Sequence, residues 1–535
     1  MSVHAPSLSG STRILGPRGR RRPCSRLHLE KLEDRCLLSA DVVIEWNSLV
    51  LDAARATSAD PLVLTRGLAM VHGAIYDAVN NIEQTNTPYL VDHPVSPDTS
   101  EEAAAATAGY RVAVQVFPSQ RDTLHAAWRA DLAAIENGPA KRQGIALGNY
   151  VANVMLDWRS HDGSDLVVEY PGGTEPGQWR PTPPAYAPAL KPQWPGVTPF
   201  TLTSGAQFRA YPPPTLASVE YRAAFDEIRS VGAVDSTTRT ADQTETSLFW
   251  EDPAGRTSTP PGHWNHIAQT VAQAQGNTMP QNARLFALLD LTLADAGIAF
   301  MDTKYAYGFW RAVTAIRETA DPDWLPLITT PPHPSYLCAH CSVSTSAAEV
   351  LTSFFATDDI SFSSTAEGIG VTRSYSSFSQ ASDEAGLSRL YGGIHWRFDI
   401  NAGNGLGRAL GRYVTGNFLL PLGGAPGPGG LGTKDWSLVV HPAPVSPDAV
   451  FAAGPQVTGN GSVATAAMPG DAAERQALSP PGTPRRENSQ AIRTVVPADT
   501  YRGWNGRSAQ PVLGQEIDMF FGALESGASV ASVPC

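Results

Sequence analysis

The sequence predicts an all-α protein: one large helical domain over residues 41–436, between a basic leader (1–40) and a Pro/Gly/Ala-rich tail (437–535). Three observations carry this reading. Apolar residues recur at spacings of three and four from Asp41 onward, the period of a helix with one buried face. The 47 Gly and 44 Pro gather in a few stretches that punctuate the helical runs instead of interrupting them. A chain of 535 residues is also long enough to bury a sizeable core as one domain with tails.

In chain order, Val42, Val43, Trp46, Leu49, Val50 and Leu51 share one helical face, and Leu62 to Ile82 form a second amphipathic run through Met70, Val71, Ile75, Tyr76 and Val79. Further helices are expected at about 101–117, at 118–136 after the start signal Pro118-Ser119, and at 138–157. Residues 160–214, dominated by Pro, Gly and Trp, read as a long loop able to overhang a pocket. Helices resume at about 215–231 and 239–251. They are followed by Pro260-Pro-Gly-His-Trp264-Asn-His266, read as a loop; His263 and His266 lie three apart, but no third metal ligand is in view. After Pro280 a long helical pattern runs through Leu285, Leu288, Leu289, Leu291, Leu293, Ile298 and Phe300. The Ser/Thr-rich stretch 356–381 reads as a loop. Beyond it, Gly403, Gly407 and Gly411 at four-residue spacing predict a close helix contact and not a dinucleotide loop, since no strand precedes them. Ile517 to Leu524 reads as a short terminal helix.

The net charge of -12 hides an asymmetry. Residues 1–36 hold eight Lys/Arg against three Asp/Glu, leaving 31 against 48 for the rest. An acidic body of that kind argues against nucleic acid as partner. The most apolar stretch considered, Leu285 to Met301, is broken by Asp290 and Asp295, so no membrane-spanning helix is expected. Of five Cys, two lie in the leader and one is the last residue, which excludes a disulfide-rich scaffold.

Three segments concentrate the chemistry. Lys304 and Arg311, seven apart in a run without Pro, would return to one face of a continuous helix. His395 and Asp399 stand at i, i+4, so the carboxylate can take the imidazole Nδ1 proton and leave Nε2 as a lone-pair donor of fixed direction. Arg389 precedes His395 by six, and Gly392-Gly393 between them permits the break that brings both to one site. His340 follows the loop Pro331-Pro-His-Pro334 and opens a run from Cys341 to Phe355, which places it near a helix N-terminus that favours an anion. Three converging cations would repel one another unless a polyvalent anion sat among them, and phosphate or vanadate would satisfy them. Cys338-Ala-His-Cys341 admits other readings: a redox dithiol at a helix start, or a structural disulfide. Zinc would need two more ligands than are found nearby. No G-x-S-x-G elbow and no G-x-x-x-x-G-K-[ST] loop occurs.

The order K-x6-R, then His after a small residue, then S-R-x5-H-x3-D in Ser388 to Asp399 resembles the vanadium-dependent haloperoxidase and type 2 phosphatidic acid phosphatase superfamily. Phe249-Trp250 and Gly262-His-Trp-Asn265 look like its soluble haloperoxidase branch. Two departures stand out. The family's R-P is Arg311-Ala312, and its P-S-G-H is Leu337-Cys338-Ala339-His340, with Cys338 a weaker donor than Ser and Ala339 adding a Cβ where Gly lets an anion approach.

The resemblance covers roughly residues 41–418 and implies helical bundles with the anion site in a bundle core. It implies vanadate held by Lys304, Arg311, Arg389 and the backbone of Ala339 and Cys338. His395 would be the axial ligand, Asp399 its orienting partner and His340 the acid/base, with hydrogen peroxide and halide as substrates. Phe309 and Trp310 would suit a halide pocket, although aromatics at helical spacing are more often core. The same residues in a phosphatase would hydrolyse a phosphate ester, with His395 attacking phosphorus and His340 protonating the leaving alcohol. A third alternative keeps the fold without the chemistry. Leu32-Glu-Asp-Arg-Cys-Leu-Leu-Ser39 is similar to the L-E-[PD]-R-x-L-L segment of exported proteins from planctomycete-like bacteria, and implies export or attachment to the cell envelope.

Overall fold

Local sequence signals set where the helices begin. A computed structural model of the chain describes residues 41–423, which hold thirteen α-helices and one two-stranded hairpin; the leader, the tail and the expected helix at 517–524 lie outside them. Asp41 caps α1 (Val42–Thr57), accepting from the N–H groups of Val43 and Ile44. Asp60 with Pro61 at the first helical position starts α2 (Pro61–Glu83), where a missing N–H costs nothing. Helices α3 (Glu101–Val116), α4 (Arg121–Ala134) and α5 (Pro139–Arg159) complete the N-terminal group. Of these five, α2 alone is long and apolar enough to cross a membrane by length and composition, and 89% of that window is buried inside the molecule.

Segment 160–214 carries two short 3-10 turns and is pinned to the helices. Asp295 accepts from the N–H groups of Phe200, Thr201 and Leu202, so a fully buried carboxylate is satisfied by loop backbone. Trp179 N–H donates to Gly308 O at 2.7 Å and Trp310 N–H to Gly177 O at 2.9 Å, which lays the loop over the 308–310 turn.

After α6 (Val219–Val231) and α7 (Ala241–Phe249), the Pro-Pro-Gly-His-Trp run belongs to α8 (Thr259–Gln275). The loop expected there is corrected: Pro260 and Pro261 occupy first-turn positions, where Pro is compatible with a helix. The 29-residue α9 (Met279–Tyr307) starts with a Thr278/Gln281 capping box and is buried along most of its length. It packs mainly on α2, α11 (Ala339–Phe355) and α13 (Arg397–Asn417). Between α11 and α13 lie β1 (Phe362–Thr365), antiparallel to β2 (Thr372–Tyr375), and α12 (Phe378–Tyr391). The stretch 356–381 is therefore not the plain loop expected; Ser/Thr composition concealed a hairpin whose inward positions are Phe362 and Ser364.

The glycine stripe of α13 meets α11. A Cβ at Gly403 would stand 2.6 Å from Cys338 O, at Gly407 2.8 Å from Ser342 O, and at Gly411 2.7 Å from the Glu349 Cβ. These glycines set the distance between two site-bearing helices.

Candidate oxyanion site

Lys304 lies in the last turn of α9, and Gly308 ends that helix in the left-handed conformation (φ 54), its N–H bonding Lys304 O. Arg311 is the N-cap of the next helix, α10 (Ala312–Thr319). The expectation that Lys304 and Arg311 share one continuous helix face is corrected, because Gly308 lets the chain turn where a Cβ would be strained. The two cations still converge, since Phe309 O accepts from Ser335 N–H at 2.8 Å and draws the 333–338 segment beneath them.

That segment supplies acceptors. Lys304 Nζ donates to Pro334 O (3.0 Å), Ser335 O (2.8 Å) and Leu337 O (2.5 Å). Arg311 donates to His333 O and Ile394 O, both at 2.8 Å, to His333 Nδ1 at 3.0 Å and to His395 Nε2 at 3.3 Å. Both side chains are completely buried, and carbonyl dipoles stand where an anion's oxygens would otherwise neutralise them.

Cys338 caps α11, its Sγ accepting from Cys341 N–H, and is bonded to Cys341. The disulfide, one of the readings open from sequence, leaves Cys338 no S–H, so its expected role as a weak side-chain donor is corrected. Ala339 and His340 open the helix, which places His340 at the helix start expected from sequence. Hydrogen bonds tie the His340 ring to the backbone of Trp250 and Glu251, and its buried Nε2 has no partner.

Arg389 ends α12, bonded to Ser388 Oγ (2.8 Å) and Ser247 O (2.9 Å). Gly392 then closes the helix and Gly393 takes φ 76, the break the Gly-Gly pair predicted. His395 Nδ1 stands 2.8 Å from Asp399 Oδ2. His395 precedes α13 and Asp399 lies in its first turn, so the pair spans a helix N-terminus and is not two positions of one helix. Ser335 Oγ donates to the same Oδ2 at 2.5 Å and Trp396 N–H at 3.4 Å.

Electrostatics show one shared centre. Burial pushes His395 well below its usual pKa, and Arg311, Lys304, His333 and His340 push the same way; the ring is held neutral. Burial lowers His340 in the same direction, helped by Arg389 and Lys304. Desolvation and then Arg311 pull Lys304 down, and burial brings Arg311 and Arg389 to about 10. For Arg389 the carboxylates of Asp252 and Glu251 act in opposition. Burial raises Asp399 to about 7 against the pull of Ser335, Lys304 and Arg311.

Cations whose charge burial disfavours, a neutral His395 and an orphaned His340 Nε2 fit a tetrahedral oxyanion. A bound anion would offset the burial of the cations and give Nε2 a partner. Lys304, Arg311, Arg389, His340, His395 and Asp399 are linked by these hydrogen bonds and charges; Cys338 and Ala339 stand at the cap and first position of α11, and the expected Cys338 backbone donor is corrected, since its N–H is given to Asp399 O at 3.1 Å. Sequence reasoning missed His333, Ser335, Ser247 and Asp252 as site residues. His333 and Ser335 flank Pro334, and polar side chains in so proline-rich a segment were the available signal; Ser247 contributes a carbonyl, which no side-chain pattern reports. Phe309 is core, ringed by Tyr221, Trp396 and Phe398.

Residues 284–419 match a family model described as the VCPO second helical-bundle domain. Vanadium chloroperoxidase of Curvularia inaequalis is 22% identical over 495 residues, covering 70% of this chain and 81% of that protein. Among solved structures, the first bacterial vanadium-dependent iodoperoxidase aligns with TM-score 0.62 and 29% identity over 70% of this chain and 94% of its own. A holo-type bacterial vanadium-dependent chloroperoxidase aligns with TM-score 0.55 and 16% identity, over 66% of this chain and 91% of its own, a likeness of fold.

Proposed function

We propose that this chain, which belongs to the vanadium haloperoxidase-like superfamily, is a vanadium-dependent haloperoxidase that uses hydrogen peroxide to oxidise a halide. The observation that carries the reading is the buried cationic cradle around a neutral His395, with His340 acting on the same centre and its buried Nε2 unpartnered. Lys304, Arg311, Arg389 and the first N–H groups of α11 would hold the vanadate oxygens, and His395 Nε2 would ligate the metal. Bound vanadate would supply Lewis acidity toward peroxide, making the oxidant electrophilic enough for halide.

The rest is done by the chain. Asp399 accepts a hydrogen bond from the Nδ1–H of His395 and so presents Nε2 as a lone pair of fixed direction. Arg311, which contacts that Nε2 at 3.3 Å, would turn to an anion oxygen when the lone pair is used. The backbone of Trp250 and Glu251 fixes the His340 ring, so Nε2 is the atom that takes the proton from incoming peroxide and returns it to the departing oxygen. Burial keeps bulk water from the reacting atoms. Export, implied by the leader, gains support from the Cys338–Cys341 disulfide, a bond favoured in oxidising compartments.

Bromination and iodination of a dimedone-type acceptor with peroxide, before and after orthovanadate, test the reading, with p-nitrophenyl phosphate hydrolysis in parallel. Vanadate-dependent halogenation lost in His395→Ala is the expected result. Phosphate release inhibited by vanadate, without halogenation, would move the protein to the phosphatase reading, in which His395 Nε2 attacks phosphorus. Silence in both assays would leave a non-catalytic fold.

A further inference from the structure

His263, a candidate metal ligand in sequence, has a different occupation. Its Nδ1 stands 3.0 Å from Asp252 Oδ2 and its Nε2 2.8 Å from Ser364 Oγ. The three residues come from α8, the turn after α7 and the inward face of β1, and are 5%, 6% and 8% exposed. The imidazole also stacks on Trp250 at 4.6 Å between centroids and 20° between planes. One ring thus grips the turn 250–252 from two sides, through the carboxylate of Asp252 and the face of Trp250. Asp252 itself sits at φ 45, a backbone conformation that needs its surroundings to hold it.

That turn is where the candidate site is steered. The backbone of Trp250 and Glu251 carries the hydrogen bonds of the His340 ring, and the carboxylates of Asp252 and Glu251 act on Arg389. We propose that His263 is a positioning residue for the oxyanion site: backed by Ser364, it holds the 250–252 turn so that the backbone there seats the His340 ring and the Asp252 charge keeps its place relative to Arg389. The inference rests on the oxyanion reading of the site. Its chain of contacts runs from a hairpin hydroxyl through an imidazole to a carboxylate whose charge acts on the Arg389 guanidinium, with a branch through the backbone of 250–251 to the His340 ring. An outer hydrogen-bond partner of this kind typically changes affinity 10- to 100-fold when lost.

A purely structural role would be met by any flat ring in the same place, and this separates the two accounts. His263→Phe keeps the stack on Trp250 and removes the N–H toward Asp252. His263→Asn keeps a donor at the Nδ1 position and gives up much of the ring. Binding of inorganic phosphate to the full chain is measured by calorimetry, and the tautomer of His340 by 15N shifts of the selectively labelled imidazole. The expected result is a Kd for phosphate weaker by roughly tenfold in His263→Phe, with a changed His340 signal, and recovery of most of the loss in His263→Asn. Asp252→Asn should reproduce the Phe variant, and it serves as the second variant if His263→Phe does not fold. Parent-like binding and an unchanged His340 signal in His263→Phe, or in Asp252→Asn where that variant stands in, would overturn the proposal. A parent that binds no oxyanion would instead defeat the reading of the site, and the His340 signal would then decide on His263 alone.

Discussion

Asp399 Oδ2 accepts from His395 Nδ1 at 2.8 Å and from Ser335 Oγ at 2.5 Å, so a single carboxylate oxygen orients the imidazole and is itself oriented by a hydroxyl from another segment. Removing the carboxylate frees the imidazole to rotate and to change tautomer. Asp399→Ala should weaken vanadate binding by roughly 10- to 100-fold. Ser335→Ala removes one hydrogen bond to that oxygen but leaves the carboxylate on His395 Nδ1, so it should fall below Asp399→Ala in effect. Titration of the apo chain with orthovanadate measures both, and equal losses would contradict the hierarchy.

His340 differs in kind, because its Nε2 bonds nothing within the protein and Gln keeps a hydrogen-bonding group near that position without a proton to transfer. His340→Gln should leave vanadate affinity within a few-fold of the parent and cut turnover by roughly 10²–10⁴, the usual range for a lost proton-transfer group. Steady-state halogenation together with binding separates the two quantities. A variant that loses affinity and turnover in parallel would assign His340 to holding the anion.

Much of this site is legible from spacing, and the illegible parts have physical causes. The i, i+4 relation of His395 and Asp399 delivers the right contact for a wrong reason: four residues span a helix start nearly as well as a helix turn. Lys304 and Arg311 converge although Gly308 breaks the helix assumed to unite them, because tertiary hydrogen bonds from Ser335 close the gap. Those bonds join segments about thirty residues apart, and no local pattern encodes them. The hairpin at 362–375 escaped notice since its outward positions are Ser and Thr, whose composition is that of a loop.

Cys338 offers the site no S–H while bonded to Cys341. Replacing both by Ser restores a hydroxyl at the helix cap, where Ser is favoured, and removes any thiol able to reduce vanadate. The double variant should bind orthovanadate a few-fold more tightly, consistent with one added hydrogen bond. It should lose about 2 kcal/mol of stability with the crosslink, a loss that calorimetric unfolding would register. Unchanged or weaker binding would mean that the backbone N–H groups of the first turn already saturate the anion.

The last prediction concerns the core and not the site. Asp290 on α9 is fully buried; Oδ1 accepts from Asn265 Nδ2 at 2.8 Å while Oδ2 has no partner. His72 Nε2 lies 3.7 Å from that oxygen. Burial pushes Asp290 up to about 8 and His72 down to about 3, so each prefers to be neutral in the fold. A carboxyl whose folded pKa exceeds its unfolded value near 3.8 gives its full stabilisation below that value. The contribution is then lost as pH rises toward about 8. His72 works oppositely: its contribution is complete above its ordinary 6.5 and is lost as pH falls toward about 3. Above pH 6.5 the histidine is silent and Asp290 can be read alone. Asp290→Asn should therefore gain on the parent between about pH 6.5 and 8, by a few kcal/mol at the upper end. Paired thermal melts across that interval would show the gap in Tm widening, and a constant gap would mean that Asp290 is already ionised in the fold.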